Sequence, residues 1–159
     1  MHQSVMEWGA LHTEAFKYDP VIEWGSNSSN GSFRPLFFGP YHGVDLTEGP
    51  GVDQFPRDLE NPEHILPTTI DTVLVCTEVL EHVYRPWLAL ANLRASGAGL
   101  LFLTCRGYDE RGCWPVHEHP VDLWRFSADG LSTILHDAGW RVQSIDADPE
   151  GPGWLVVAT

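Results

Sequence analysis

Short apolar runs recur along the chain with turn-forming residues between them: PVIEWG at 20–25, YHGVDL at 41–46, TVLVCT at 72–77, GLLFLTC at 99–105, WRVQSIDA at 140–147 and GWLVVAT at 153–159. Brief, continuous and rich in β-branched residues, they have the pattern of strands buried on both faces; half-exposed strands would alternate. Between TVLVCT and GLLFLTC lies RPWLALANLRAS, where Trp87, Leu88, Leu90, Ala91 and Leu93 fit a helix. A second helix is predicted from Ser127, an N-cap residue type, through GLSTILHDAG, with Gly139 as its stop. Strands alternating with helices predict an α/β fold, doubly wound and Rossmann-like. Its mostly parallel sheet would have seven strands, counting a short third one near VDQF, and would end in an antiparallel hairpin across DPEGPG.

In such sheets ligands bind beyond the carboxyl ends of the strands. The candidate chemistry of this chain falls at those ends. After the first run, Glu23 and Gly25 lead into SNSSNG, a small-residue loop before SFRPLF, a short helix candidate. Small residues let backbone N–H groups approach a ligand, and a helix N-terminus favours an anion there. The dinucleotide fingerprint would want glycines at Asn27 and Ser29, so an ordinary polar loop is the alternative. Asp45 closes the second run about twenty residues later, where a ribose-binding acid is expected; a surface acid at a strand end is the alternative. From Asp45 to Asp71 the chain is crowded with Pro, Gly and acids, leaving little room for a full crossover helix. That stretch reads as a tight loop carrying ligand contacts.

Composition narrows the partners. A chain of 159 residues with 43% apolar content fits one domain, 1–159, with a packed core of its own. The net charge of −13 opposes a phosphate backbone, so long nucleic acid is disfavoured. No apolar run is long enough to cross a bilayer, and MHQSVMEWG has no signal-peptide pattern, so the expected location is the cytoplasm, away from membranes. Cys76, Cys105 and Cys113 lack CxxC spacing, and two of them sit in apolar runs, as reduced structural thiols would.

The order VIEWGS…NGSFRPLF, YHGVDLTEGPGVD, TVLVCTEVLEHV, GLLFLTC and WRFSADGLSTILHDAGW resembles small class I S-adenosylmethionine-dependent methyltransferases, including their EVLEHV motif, over nearly the whole chain from residue 20. The resemblance implies a cofactor, S-adenosylmethionine, and roles for particular residues. Glu23 would shape the pocket, with Gly25 and Ser26 at the methionine moiety. Asp45, with Leu46 beside it, would hold the ribose. Asp58 and Leu59 would contact adenine, and Thr77 and Glu78 would flank the reactive methyl.

Glu78, Glu81 and His82 form ExxEH, and a helical turn after TVLVCT would set the three on one face. This resembles the divalent-metal site, such as for Mg²⁺, of small-RNA 2′-O-methyltransferases and ubiquinone-pathway O-methyltransferases. Val121 stands where a further ligand is expected, so that ligand would have to come from His117 or His119. The alternative is that Glu81 and His82 merely pack or cap.

The stretch CRGYDERGCWPVHEHPVDLWRF, 105–126, is long for a connection and reads as a lid. It gathers Tyr108, Trp114, His117, His119, Trp124 and Arg125, and a histidine can take a proton from an acceptor near neutral pH. His117 and His119, with Glu78, are therefore the catalytic candidates; the alternative is exposed histidines over a small aromatic core. The reading that results is methyl transfer to a small-molecule or glycan acceptor, with O-methylation as one form. The acceptor site would be open, built by the lid, or completed by a second subunit in a homodimer. A dinucleotide-dependent oxidoreductase and a noncatalytic nucleotide-binding module are the competing readings.

Overall fold

A computed structural model describes residues 3–28, 31–116 and 121–159. Helix α1 (Gln3–Thr13) precedes strands β1 (Val21–Trp24), β2 (Tyr41–Val44) and β3 (Val73–Thr77). Helix α2 (Pro86–Ala95), β4 (Leu100–Arg106), a small hairpin of β5 (Tyr108–Asp109) and β6 (Gly112–Cys113), α3 (Ala128–Asp137), β7 (Val142–Ala147) and β8 (Gly153–Ala158) follow. The main sheet has the order β2-β1-β3-β4-β8-β7. Its first four members run parallel, and β8 is antiparallel to both β4 and β7.

Every residue of β3 and β4 is buried, as continuous apolar runs require when both faces of a strand are covered. Successive side chains go to opposite faces. Leu74, Cys76, Leu101 and Leu103 join the core with Leu90 and Leu93 of α2, Leu131 and Leu135 of α3, and Trp140. Val73, Val75, Leu100 and Phe102 join the other core, with Val5 and Trp8 of α1 and with Phe33 and Phe37. The Ser127 cap is as its residue type predicts: its side chain accepts a bond from the Gly130 N–H, and Gly139 at φ +88° ends the turn after α3.

The sheet has six strands, not the seven expected from the sequence. VDQF lies parallel to β2 but contributes only the single bridge Val44–Gln54. Backbone bonds join Gln54 to Gly43 and Asp45 around that bridge, and the ladder goes no further because Asp53 Oδ2 takes the Gly43 N–H at 2.7 Å and Pro56 has no N–H to donate. Arg34 holds the same carboxylate at 2.5 Å. SFRPLF forms only a 3₁₀ turn at Arg34–Leu36, and α1 was not anticipated at all. Among the described residues no helix is long and apolar enough to cross a membrane.

Ser127→Ala removes one acceptor from the start of α3 and is expected to cost about 1 kcal/mol of stability. Urea unfolding of the two proteins measures it; an unchanged midpoint would mean that α3 does not rely on this cap.

Candidate functional site

Parallel pairing collects the strand ends. Trp24 is in register with Val44 and with Cys76, and Thr77 with Thr104, so the residues following β1, β2, β3 and β4 share one edge. The N–H groups of Gly25 and Ser26 both reach the Val44 carbonyl, at 3.0 and 3.2 Å, which turns the chain sharply over β2. Gly25 sits at φ +75°, and a Cβ there would come within 2.2 Å of Val79 Cγ2, so this position tolerates no side chain. Ser26 is buried, and its Oγ has no partner among the described residues.

Asp45 ties two loops together. Its Oδ2 accepts the Asn27 N–H at 3.1 Å, and its Oδ1 accepts the Thr47 N–H at 2.9 Å. The carboxylate remains half-buried with lone pairs to spare, and Leu46 beside it is 60% exposed. Glu23 points into the protein instead. Its carboxylate accepts from Ser32 Oγ at 2.7 Å and from the Phe33 N–H, and burial raises its pKa. It thereby fixes where the chain re-enters after the loop. Asp58 accepts the Glu60 N–H at 2.8 Å, while the Leu59 side chain belongs to the core and its carbonyl is held by Asn92. Thr77, at the end of β3, is buried.

The ExxEH segment does not become a metal site. No helical turn follows β3; Glu78 adopts φ +58°, and a tight turn closes from the His82 N–H to the Val79 carbonyl. The three side chains part accordingly. Glu78 accepts from Thr104 Oγ1 at 2.8 Å and pairs with Arg106. Glu81 is buried in the interior, and its Oε2 has no partner among the described residues. His82 Nδ1 lies 3.0 Å from Asp122 Oδ1. Among the described residues no group of three His, Cys, Asp or Glu side chains is placed to hold a metal ion, so the expected set of Glu78, Glu81 and His82 is corrected. His117 and His119 lie outside the described residues.

The described residues of the expected lid loop, 105–116 and 121–126, are held by many hydrogen bonds. Its first half is the β5–β6 hairpin, clamped by Arg111, which bonds Asp109 and the carbonyls of Asp148 and Gly151. Trp114 presses on Gly151, where a Cβ would stand 1.7 Å from its ring, and the Arg106 guanidinium lies 4.2 Å from that ring's centre. Arg125 bonds the carbonyls of Trp114, Pro115 and Trp124 and pairs with Asp122. The N–H groups of Leu123 and Trp124 then reach the Glu81 carbonyl. Arg106, Arg111, Asp122 and Asp148 were not singled out from the sequence. The one available signal was the i, i+3 spacing of Asp122 and Arg125. An open groove of about 580 Å³ lies at the opposite edge, lined by Pro20, Pro40, Tyr41, His42 and threonines 68, 69 and 72, and offers little chemistry.

Burial, reinforced by the nearby Glu78 carboxylate, raises Glu81 to about 8. The folded protein therefore keeps a proton that the unfolded chain releases from about pH 4.5, and stability falls with rising pH until about pH 8. Glu81→Gln is expected to remove that slope and to exceed the parent by on the order of 2 kcal/mol at the alkaline end. Urea midpoints at pH 5, 6.5 and 8 measure this; parallel curves for the two proteins would count against the buried neutral carboxyl.

No family model matches the sequence, and no curated protein matches it. Solved structures do. A SAM-dependent methyltransferase from Aquifex aeolicus aligns with TM-score 0.70 and 16% identity, over 98% of this chain and 90% of that one. The 1,6-didemethyltoxoflavin-N1-methyltransferase of Burkholderia thailandensis, with its substrate and S-adenosylhomocysteine bound, aligns with TM-score 0.74 and 14% identity, over 98% and 77%. The magnesium protoporphyrin IX methyltransferase of Synechocystis, with bound SAM, aligns with TM-score 0.64 and 16% identity, over 98% and 76%. This chain has the fold of S-adenosylmethionine-dependent methyltransferases.

Proposed function

We propose that this chain is an S-adenosylmethionine-dependent methyltransferase acting on a small-molecule acceptor. The observation that carries the reading is the side-by-side placement of the Gly25 turn and the Asp45 carboxylate at the ends of adjacent parallel strands. These residues suit the cofactor. Gly25 leaves the backbone bare, Ser26 has a hydroxyl unpartnered among the described residues, Asp45 has acceptor capacity for ribose hydroxyls, and Leu46 offers an exposed apolar surface beside it. The sulfonium cofactor supplies an activated methyl group. The chain's own part is to align the acceptor with that methyl and to exclude water.

Glu78 is a weaker candidate for direct chemistry than its position suggests, because Thr104 and Arg106 already occupy its carboxylate. The clamped hairpin and the Arg125 cluster support a lid over the β3 and β4 ends, with Trp114 and Trp124 as its apolar parts. Two fold neighbours act on planar heteroaromatic molecules by their names, and a small acceptor suits a chain with no further layer over this edge among the described residues.

Calorimetry with S-adenosylhomocysteine and NAD in parallel tests the reading against a dinucleotide-dependent oxidoreductase: binding of the first alone is expected, and binding of NAD alone would overturn it. Asp45→Asn keeps the size of the side chain and removes its charge. It is expected to weaken S-adenosylhomocysteine by about 1.5 to 3 kcal/mol with the melting temperature nearly unchanged. Unaltered affinity would remove Asp45 from the ribose site.

A further inference from the structure

Among the described residues no cation pairs with Glu81, which is 1% exposed and whose Oε2 has no partner. The titratable and charged groups that face it come from every element around it. Glu78 stands on its own turn, Cys76 on β3, Cys105 and Arg106 on β4, and Asp122 on the segment before α3. The arginines of this cluster are already engaged. Arg106 pairs with Glu78 and stands 3.5 Å from Asp148, and Arg125 pairs with Asp122. Three carboxylates thus share two guanidinium groups, so with His82 uncharged the cluster lacks one positive charge before Glu81 is counted. The same turn abuts the cofactor edge, because Val79 fills the place that a Cβ on Gly25 would take. Glu78, the residue that follows β3, accepts from Thr104 of β4 at 2.8 Å, which puts the cluster at the carboxyl ends of both strands.

We propose that Glu81 tells the charged cofactor from its uncharged product: it releases its proton when S-adenosylmethionine binds and is protonated again once the methyl group has left. This rests on the methyltransferase reading above, in which a sulfonium comes to the β3 and β4 ends and supplies the positive charge that the cluster lacks. S-adenosylhomocysteine carries a neutral thioether instead and leaves the carboxyl protonated. Glu81 acts without touching the sulfonium, since opposite charges attract beyond contact distance where water is excluded. Burial and the Glu78 carboxylate hold the free carboxyl up to about 8, so at pH 7 it keeps its proton until a cation arrives. A cation lowers it, and S-adenosylmethionine affinity therefore rises with pH toward pH 8, whereas S-adenosylhomocysteine affinity does not. In the transfer itself the C–S bond breaks with its electron pair returning to sulfur, and a bond forms from the acceptor's nucleophilic atom to the methyl carbon. The acceptor's proton leaves to water, and Glu81 takes one up, so the proton lost on cofactor binding is recovered.

Calorimetry in buffers of different ionisation enthalpy counts the protons, with no acceptor present. At pH 7 the parent should release most of one proton on binding S-adenosylmethionine and none on binding S-adenosylhomocysteine. Glu81→Gln keeps the shape of the side chain and cannot ionise. It should abolish the release, leave S-adenosylhomocysteine affinity unchanged, and weaken S-adenosylmethionine about tenfold or more at pH 8 but only about twofold at pH 6. The amino group of the cofactor is common to both proteins, so their difference reports Glu81 alone. Infrared difference spectra read the parent without any substitution: the carbonyl band of one protonated carboxyl should be lost with S-adenosylmethionine and kept with S-adenosylhomocysteine. Equal proton release for the two ligands, release that survives in Glu81→Gln, or a carboxyl band that ignores both ligands would overturn the proposal. Failure of the parent to bind either ligand would instead overturn the methyltransferase reading itself.

Discussion

Strands β3 and β4 are almost wholly apolar and buried along their full length, so both faces of the sheet must be covered, and the rest of the chain is arranged to do it. Helices α2 and α3 cover one face through Leu90, Leu93, Leu131 and Leu135. On the other face there is no long helix between β1 and β2 among the described residues. That work passes to α1, arriving from the N-terminus, and to Phe33 and Phe37. Parallel pairing brings the loops that follow β1, β2, β3 and β4 together beyond their carboxyl ends.

A buried cation organises that edge. Arg106 is 4% exposed, pairs with Glu78 at the end of β3 and stands near Asp148 at the turn between β7 and β8. Asp148 in turn accepts Ser4 Oγ at 2.7 Å, so the network runs from α1 through the terminal hairpin to the carboxyl ends of β3 and β4. Burying such charges stabilises little by itself, but removing one member leaves another desolvated and unpaired. The network thus specifies which loops meet, and Trp114 under Arg106 extends that specification to the segment after β6.

The turn from Glu78 to His82 shows how one short segment serves several ends. Its left-handed first residue sends Glu78 toward Arg106, its middle turns Glu81 into the core near the thiols of Cys76 and Cys105, and its last residue meets Asp122. Burial pushes both thiols up, which makes them inert packing groups. A carboxyl kept neutral among them can be buried at lower cost than a carboxylate.

Much of this was legible along the chain. Continuous apolar runs identified the strands, helical spacing and the Ser127 cap identified α2 and α3, and the turn-rich DPEGPG identified the hairpin, since these patterns depend on local period and capping alone. The strand-end positions of Gly25 and Asp45 followed from the same patterns. What pairs with what did not follow. The seventh strand shrank to one bridge where the Asp53 side chain took the Gly43 N–H and Pro56 had none to offer. The expected metal set dissolved because Glu78 took a left-handed conformation, which no helical spacing rule anticipates. Arg106, Arg111 and Asp122 read as ordinary charges until the fold buried or clamped them. Sequence determines period, caps and turns because those are short-range; which charges desolvate together is decided by distant segments meeting, and only the tertiary structure settles that.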